Sequence, residues 1–243
     1  MSHNHLENML FLDIETVPQT YFYNDLMPDT RTLFEAKNRM KINEEKTGEQ
    51  VYQDLGGIQS EFGKIVCISV GMVKNSITGR TIRVKSFAHD DEFTLLNQFK
   101  RLLDDHYRDG ILCGHNAKEF DFPYLCRRML IHGISLPQAL NIAGKKPWEI
   151  KHLDTMELWK FGDYKAFTSL ALLCHVFGVP TPKDDITGAD VARVYYEDRD
   201  LQRIAVYCEK DVIALIQVYL KMHLEPLVEE GNITHVPLSS SNS

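Results

Sequence analysis

Two acidic residues follow the first apolar run of this chain, and they constrain its fold more than any other feature. Met9 to Leu12 is apolar, and the run continues as Asp13-Ile14-Glu15. A stretch this short and apolar predicts a buried strand rather than a helix. Because strand side chains alternate, Asp13 and Glu15 project from one face and Ile14 from the other, toward the core. Adjacent carboxylates repel each other unless a cation lies between them, although a solvated strand end would also accommodate them.

Three further strands are expected downstream. Lys64 to Val73 and Arg80 to Phe87 are apolar or alternating runs, and Asn75 to Gly79 between them has the composition of a turn. With the first strand they predict a three-stranded meander. Ile111 to Cys113 is a short strand candidate that ends at Gly114.

Helical periodicity dominates the rest of the chain. Apolar residues recur at helical spacing from Asp91 to Tyr107. Further helices are predicted over Phe122 to His132, Asp154 to Lys160, Thr168 to Phe177, Gly188 to Asp198 and Leu201 to Leu224. Strands come first and helices later, which indicates an α/β or α+β order, and we expect an α/β sheet flanked by helices.

The length of 243 residues suits a single domain, which we place at residues 1–236. Residues 28–57 are charged and weakly periodic, and we expect them to form a partly helical excursion within that domain. The short Ser-rich tail, residues 237–243, is predicted to be disordered.

Composition narrows the function classes. The formal net charge of −7 argues against a protein that coats nucleic acid, but it permits an acidic pocket that is neutralised by bound metal ions. The five cysteines are scattered without a C-x-x-C pair, so we expect buried free thiols rather than a zinc site. The apolar runs are too short to span a membrane, and the first seven residues lack the pattern of a signal peptide, which predicts an intracellular, cytoplasmic protein.

Two more places combine an acid with a defined local geometry. Asp121 lies at the start of a predicted helix, where the helix N-terminus stabilises a carboxylate, and a simple N-cap would explain it equally well. Tyr207 and Asp211 are four residues apart in a helical pattern and therefore share one face, an arrangement that core packing also produces.

Together these motifs resemble the DEDD exonucleases of the RNase H-like fold. Asp13-Ile14-Glu15-Thr16 looks like the first motif of that family, Asn116 followed by Phe120-Asp121 like the second, and Tyr207-x-x-x-Asp211 like the third. The resemblance runs from Met9 to about Tyr219. It favours the tyrosine-bearing (DEDDy) branch, which includes the proofreading domain of B-family DNA polymerases, because the histidine branch would place His where this chain has Val206. Within that branch, the strand Phe62-Gly63-Lys64-Ile65-Val66-Cys67-Ile68-Ser69 and the excursion before it resemble the stand-alone predicted exonucleases related to that domain.

The resemblance implies an RNase H-like exonuclease fold with a central mixed β-sheet flanked by helices. It also implies two divalent ions, Mg²⁺ or Mn²⁺, held by Asp13, Glu15, Asp121 and Asp211. Asp13 would bridge the ions, Glu15 and Asp211 would complete the water-activating site, and Asp121 would hold the second ion. Tyr207 would orient the attacking water, while Asn116 and Phe120 would contact the substrate.

The implied activity is 3′-to-5′ removal of nucleotides from single-stranded ends, with DNA favoured over RNA. Three alternatives stay open: a 3′-to-5′ exoribonuclease, a catalytically inactive module that binds nucleic acid or protein, and a small-molecule phosphohydrolase. A recruiting protein partner is conceivable but unidentified.

Weaker signals have two interpretations each. Asp154 is better explained as a helix N-cap than as a supporting acid of the site, and His115 is ambiguous. A set of lysines would line a phosphate path or simply form a solvated face: Lys118, Lys145, Lys146, Lys151, Lys160 and Lys165.

Overall fold

The fold is a six-stranded mixed sheet flanked by helices, seen in a computed structural model that describes residues 4–76, 79–180 and 186–238. The strands are β1 (Met9–Pro18), β2 (Gly63–Ser76), β3 (Gly79–Ala88), β4 (Ile111–Gly114), β5 (Leu153–Asp154) and β6 (Ile233–Val236). Their order across the sheet is β5-β4-β1-β2-β3-β6. This architecture confirms the expected α/β fold class.

The antiparallel meander β1-β2-β3 forms the centre of the sheet, as predicted. The predicted turn at Asn75 to Gly79 is too wide: Asn75 and Ser76 still pair with Arg80 and Gly79, and residues 77–78 lie outside the described residues. Strand pairing therefore overrides the polar composition that suggested a longer turn.

The helices agree closely with the sequence periodicity. They are α1 (Asn4–Glu7), α2 (Pro28–Asn38), α3 (Gly48–Leu55), α4 (Glu92–His106), α5 (Asp121–Ile131), α6 (Thr155–Lys160), α7 (Leu170–Phe177), α8 (Val191–Arg193) and α9 (Leu201–Met222). The helix predicted over Gly188 to Asp198 is irregular: a 3₁₀ turn precedes α8, and a π-helical turn (Val194–Asp198) follows it.

The sheet buries apolar side chains on both faces. Helices α4 and α5 cover one face, and Ile14 belongs to the core on that side. Helix α9 covers the other face, where Phe11 and Val84 pack against Ile216. Alternation along β1 therefore directs Ile14 away from α9 and leaves its two acidic neighbours on the α9 side.

The excursion of residues 28–57 contains α2 and α3 and is partly helical, as expected. It shares a small apolar cluster with the residues on either side of it, formed by Tyr23, Leu26, Phe34, Val51, Tyr52 and Phe62. This cluster packs the excursion beside the end of β1 without extending the sheet.

The sequence analysis does not predict two of the strands, β5 and β6. β5 has two residues and β6 has four, and both lie at sheet edges, where β6 also breaks the predicted order of strands before helices. Leu238 packs against the core, and the rest of the tail predicted to be disordered, residues 239–243, lies outside the described residues. The cysteines are free and mostly buried, as expected. Among the described residues, no helix is long and apolar enough to cross a membrane.

Candidate active site

Strand β1 presents Asp13 and Glu15 on the face covered by α9. The two residues pair with Ser69 and Cys67 of β2, and the register shifts immediately after Glu15. Such irregularities in strand pairing are common beside active sites because they redirect side chains. One ligand atom each from Asp13, Glu15 and Cys208 of α9 lies within 4.8 Å of the others.

Asp121 joins this region from the first position of α5. β1 pairs with β4 only as far as Phe11, so β4 leaves the next part of that edge uncovered. There the Ile14 N–H donates to the Asp121 Oδ1 at 3.2 Å. Asp121 is only 4% exposed, and this hydrogen bond fixes its carboxylate beside the strand that carries Asp13 and Glu15.

Tyr207 and Asp211 lie one turn apart on α9, as the helical spacing predicts. Burial raises the phenol pKa of Tyr207 far above its usual value, and the nearby charges of Asp211, Glu15 and Asp13 raise it further. The phenol is therefore protonated at neutral pH and available to donate a hydrogen bond.

The electrostatics of the site are those of crowded, desolvated carboxylates. Burial raises the pKa of Asp13 well above its ordinary range, and the charges of Asp121 and Asp211 raise it further. The pKa of Glu15 is raised in the same way, first by burial and then by Asp13. Burial raises the pKa of Asp121 to about 7, despite the hydrogen bond from Ile14. No Lys, Arg or His of the described residues lies within 4.0 Å of the carboxylates of Asp13, Glu15 or Asp121.

The donor set fits a hard divalent cation. Carboxylate oxygens are the ligands that Mg²⁺ and Mn²⁺ prefer, and a bound cation would offset the burial and mutual repulsion that raise the pKa of Asp13 and Glu15. The Cys208 thiol would suit a softer metal, but burial raises its pKa well above the ordinary value, and its Sγ lies 3.5 Å from the Asp13 Oδ2. The thiol is thus neutral and donates weakly to the carboxylate instead of acting as a thiolate ligand.

The loop between β4 and α5 is organised by Asp154. Asn116 has a left-handed backbone with φ of 61°, a conformation that asparagine tolerates better than most residues. The Asp154 carboxylate accepts backbone N–H groups from Asn116 (2.9 Å) and Lys118 (3.0 Å), and also caps α6 through Met156 and Glu157. The predicted N-cap is confirmed, and the same carboxylate also raises the pKa of Asp121.

The two remaining residues of the second motif have different environments. The Asn116 side chain is half-exposed, whereas Phe120 is partly buried against the core, with its ring 5.4 Å from that of Tyr124. The structure therefore brings Asp13, Glu15, Asp121, Tyr207 and Asp211 together, with Asn116 on the adjoining loop and Phe120 turned partly inward.

Comparison with known proteins identifies the family. Residues 58–235 match a family described as predicted 3′-5′ exonucleases related to the exonuclease domain of PolB. The chain belongs to this family. The matched segment contains Asp121, Tyr207 and Asp211, and it begins downstream of the Asp13 and Glu15 strand. The chain thus carries a PolB-like exonuclease domain, which confirms the resemblance found in its motifs.

Two similar proteins agree with this assignment. DNA polymerase 120R of Invertebrate iridescent virus 3 is 23% identical over 226 residues, which cover 77% of this chain and 19% of the polymerase. The family B DNA polymerase of Pyrobaculum calidifontis has a similar structure, with a TM-score of 0.53 and 17% identity, over 89% of this chain and 24% of the polymerase. The structural likeness shows a shared fold. The chain spans about a fifth to a quarter of the length of these polymerases.

Proposed function

We propose that this protein is a metal-dependent 3′-to-5′ exonuclease that shortens single-stranded DNA by hydrolysing the terminal phosphodiester. The observation that carries the proposal is the meeting of Asp13, Glu15, Asp121 and Asp211 from one strand and two helices, with the pKa of Asp13, Glu15 and Asp121 raised by burial and mutual repulsion. Burial of mutually repelling carboxylates is unfavourable unless a cation compensates them. Membership of the PolB-like exonuclease family supports this reaction class.

The carboxylates of Asp13, Glu15, Asp121 and Asp211 would hold Mg²⁺ or Mn²⁺. Two such ions, when bound, supply charge stabilisation at the phosphate and lower the pKa of the attacking water. The protein itself fixes the ligands: β1 sets Asp13 and Glu15 on one face, and the Ile14 N–H orients Asp121. This preorganisation limits the reorganisation needed during the reaction.

Tyr207 would position the nucleophile. Its hydroxyl lies near the Asp211 carboxylate, and its raised pKa keeps it protonated, so it orients a water by hydrogen bonding rather than acting as a base. We expect Tyr207→Phe to lower kcat by about 10- to 100-fold while KM is little changed. A Tyr207→Phe enzyme with unaltered kcat would remove this role.

The half-exposed Asn116 side chain is proposed to contact the terminal nucleotide, with Phe120 beside it. The left-handed backbone at Asn116, held by Asp154, directs this short loop next to the Asp121 helix. DNA is favoured as the substrate because the similar proteins are DNA polymerases.

The test is a cleavage assay with matched single-stranded DNA and RNA labelled at the 5′ end, in Mg²⁺, Mn²⁺ or EDTA. Asp13→Ala serves as the inactive variant. Glu209→Gln is the control. Glu209 is a buried acid on α9, the helix that carries Asp211, but its carboxylate bonds to Ser86 and His235 instead.

We expect a metal-dependent ladder that shortens from the 3′ end, is lost in Asp13→Ala and persists in Glu209→Gln. A ladder on RNA alone would indicate an exoribonuclease. Binding without cleavage of either strand would indicate an inactive nucleic-acid-binding module and overturn the proposal.

A further inference from the structure

The segment between α6 and α7 exposes an unusual number of aromatic rings. The exposed fractions are 89% for Phe161, 83% for Tyr164 and 69% for Phe167, all within residues 161–167, which we name the aromatic loop. Single exposed apolar residues are ordinary, but a cluster of large ones indicates an interaction surface. None of these residues was assigned a role by the motifs of the exonuclease family.

The aromatic loop is held in shape by its own backbone. The Asp163 N–H donates to the Lys160 carbonyl at 2.7 Å, and the Ala166 N–H donates to the Asp163 carbonyl at 3.1 Å. Phe161 has a left-handed backbone with φ of 44°, a conformation in which a bulky residue is unfavourable and a helix usually places Gly or Asn. The rings are thus presented to solvent by a defined turn rather than by a chain end.

His115 links the start of α6 and the end of the aromatic loop to the loop that precedes α5. Its Nδ1 lies 2.9 Å from the Thr155 hydroxyl, at the start of α6, and its Nε2 lies 2.9 Å from the carbonyl of Thr168, directly after the aromatic loop. Because a carbonyl can only accept, Nε2 carries the proton and Nδ1 accepts from Thr155. His115 immediately precedes Asn116, so the aromatic loop is anchored beside the loop that leads to Asp121.

Two lysines interleave with the rings. The Lys160 ammonium lies 4.5 Å from the centre of the Phe167 ring, and Lys165 is exposed within the aromatic loop. Within the described ranges, neither ammonium has a carboxylate within 4.0 Å. The chain as a whole has a formal net charge of −7, so a polyanion must gain its affinity from local cations and from stacking.

We propose that the aromatic loop docks the nucleotides that precede the 3′ end of a single-stranded nucleic acid. Phe161, Tyr164 and Phe167 stack on bases, and Lys160 and Lys165 contact phosphates, the combination by which single strands are bound without sequence preference. The proposal rests on the exonuclease function proposed above, because it takes the 3′ end to be held at the acids.

Binding and turnover are compared for the full chain and a Phe161→Ala/Tyr164→Ala/Phe167→Ala variant. The probes are a 12-nucleotide oligothymidylate, its RNA counterpart and a dinucleotide, with binding measured by fluorescence anisotropy in EDTA. We expect the triple variant to bind the 12-mer at least about tenfold more weakly and to raise its KM similarly, while hydrolysis of the dinucleotide is unchanged. Lys160→Ala/Lys165→Ala should reduce the slope of log affinity against log salt by about 1.4.

The matched control is Trp148→Ala, which removes another exposed ring (78%) with a lysine, Lys146, 5.2 Å from its centre. Trp148 lies before β5, at the other end of that strand from α6 and the aromatic loop. This variant should bind all three probes like the wild type. An equal loss of 12-mer affinity in Trp148→Ala and in the triple variant would show a nonspecific effect of removing exposed rings, and would overturn the docking surface.

The two proposals fail differently. If the protein binds the 12-mer through the aromatic loop but cleaves nothing, the docking surface is supported and the exonuclease proposal is overturned. If the wild type cleaves normally and the triple variant has an unchanged KM, the exonuclease proposal is supported and the docking surface is overturned. Self-association in sedimentation that the triple variant abolishes, without a change in oligonucleotide affinity, would assign the rings to a dimer interface instead.

Discussion

Two groups of buried acids among the described residues differ in how their charge is compensated. Glu92, on α4, is paired with Arg128, and both side chains are 5% exposed. In the candidate active site, Glu15 and Asp121 are about as buried, at 8% and 4%, without a described cation within 4.0 Å. Equal burial therefore coexists with very different electrostatics.

The Glu92 pair is fully satisfied by the protein. Arg128 donates to both carboxylate oxygens, at 2.9 Å and 2.5 Å, and to the Ser60 carbonyl, while the Ile65 N–H donates to Glu92 at 2.7 Å. These bonds join α4, α5, β2 and the end of the excursion. A buried ion pair of this kind has a structural role. The acids on β1 instead repel each other, and an external cation that binds them would relieve this repulsion.

The largest contrast should appear in catalysis. Asp13→Asn and Asp211→Asn are expected to lower kcat at least about 10³-fold, because each removes a proposed cation ligand and its contribution to transition-state charge stabilisation. The fold should persist, since a like charge is removed from a crowded site. Single-turnover cleavage and circular dichroism measure the two quantities. Near-normal rates in either variant would disprove the roles of these acids.

The free energy of unfolding should depend most on the Glu92–Arg128 pair. Arg128→Ala removes the buried guanidinium and leaves the Glu92 carboxylate beside the partly exposed His132 ring, whose Nε2 is 2.8 Å away. We expect a loss of about 3–5 kcal/mol in the free energy of unfolding. Urea denaturation measures this loss, while kcat per folded molecule should stay normal. The double variant Glu92→Gln/Arg128→Met should be less destabilised than Arg128→Ala. A similar loss in both would indicate that packing, not the uncompensated charge, is responsible.

The pH dependence of stability without metal should identify the acidic site. Because the pKa of Asp121 is raised to about 7, the native state binds more protons than the unfolded chain between the ordinary carboxyl pKa and that value. Stability in EDTA should therefore fall as the pH rises from about 4 to 7, by up to about 4 kcal/mol from Asp121. Thermal unfolding of the wild type and Asp121→Asn provides the measurement. A stability that rises through this window in both proteins would refute the unfavourable burial of Asp121.

The smallest expected effect is stabilisation by metal. Mn²⁺ at a hundredfold excess over its dissociation constant should raise the free energy of unfolding by about 2.7 kcal/mol, and EDTA should reverse it. Asp13→Asn should lose this increment, whereas Glu92→Gln/Arg128→Met should keep it. An increment that survives in Asp13→Asn would place the cation elsewhere in the protein.

Local periodicity explains what can be predicted from the sequence. The alternation of Asp13, Ile14 and Glu15 and the four-residue spacing of Tyr207 and Asp211 follow from backbone geometry, and the structure confirms these two local arrangements. The edge strand β5 is too short to show any periodicity. Asn75, predicted to lie in a turn, instead pairs with Arg80 in the sheet. These differences arise where pairing with a distant segment decides the local structure.

The candidate site shows the same division. Asp154 has a recognisable N-cap position, but its bonds to the Asn116 and Lys118 N–H groups join residues 38 and 36 positions apart, so its second role has no local signal. His115 likewise reaches Thr168 across 53 positions. Such long-range hydrogen bonds depend on the relative placement of whole elements, which a linear pattern does not encode.

The central meander, most helix positions and the family are predictable from the sequence alone. Three features emerge only in the folded chain: Arg128 pairs with Glu92, the acids Asp13, Glu15 and Asp121 have no described cation within 4.0 Å, and the aromatic loop is attached beside Asn116. The difference lies in the range of the interactions involved. Side-chain direction within a strand or helix is fixed by a few neighbouring dihedral angles, but the pKa of a buried carboxylate depends on every charge and dipole that folding brings near it.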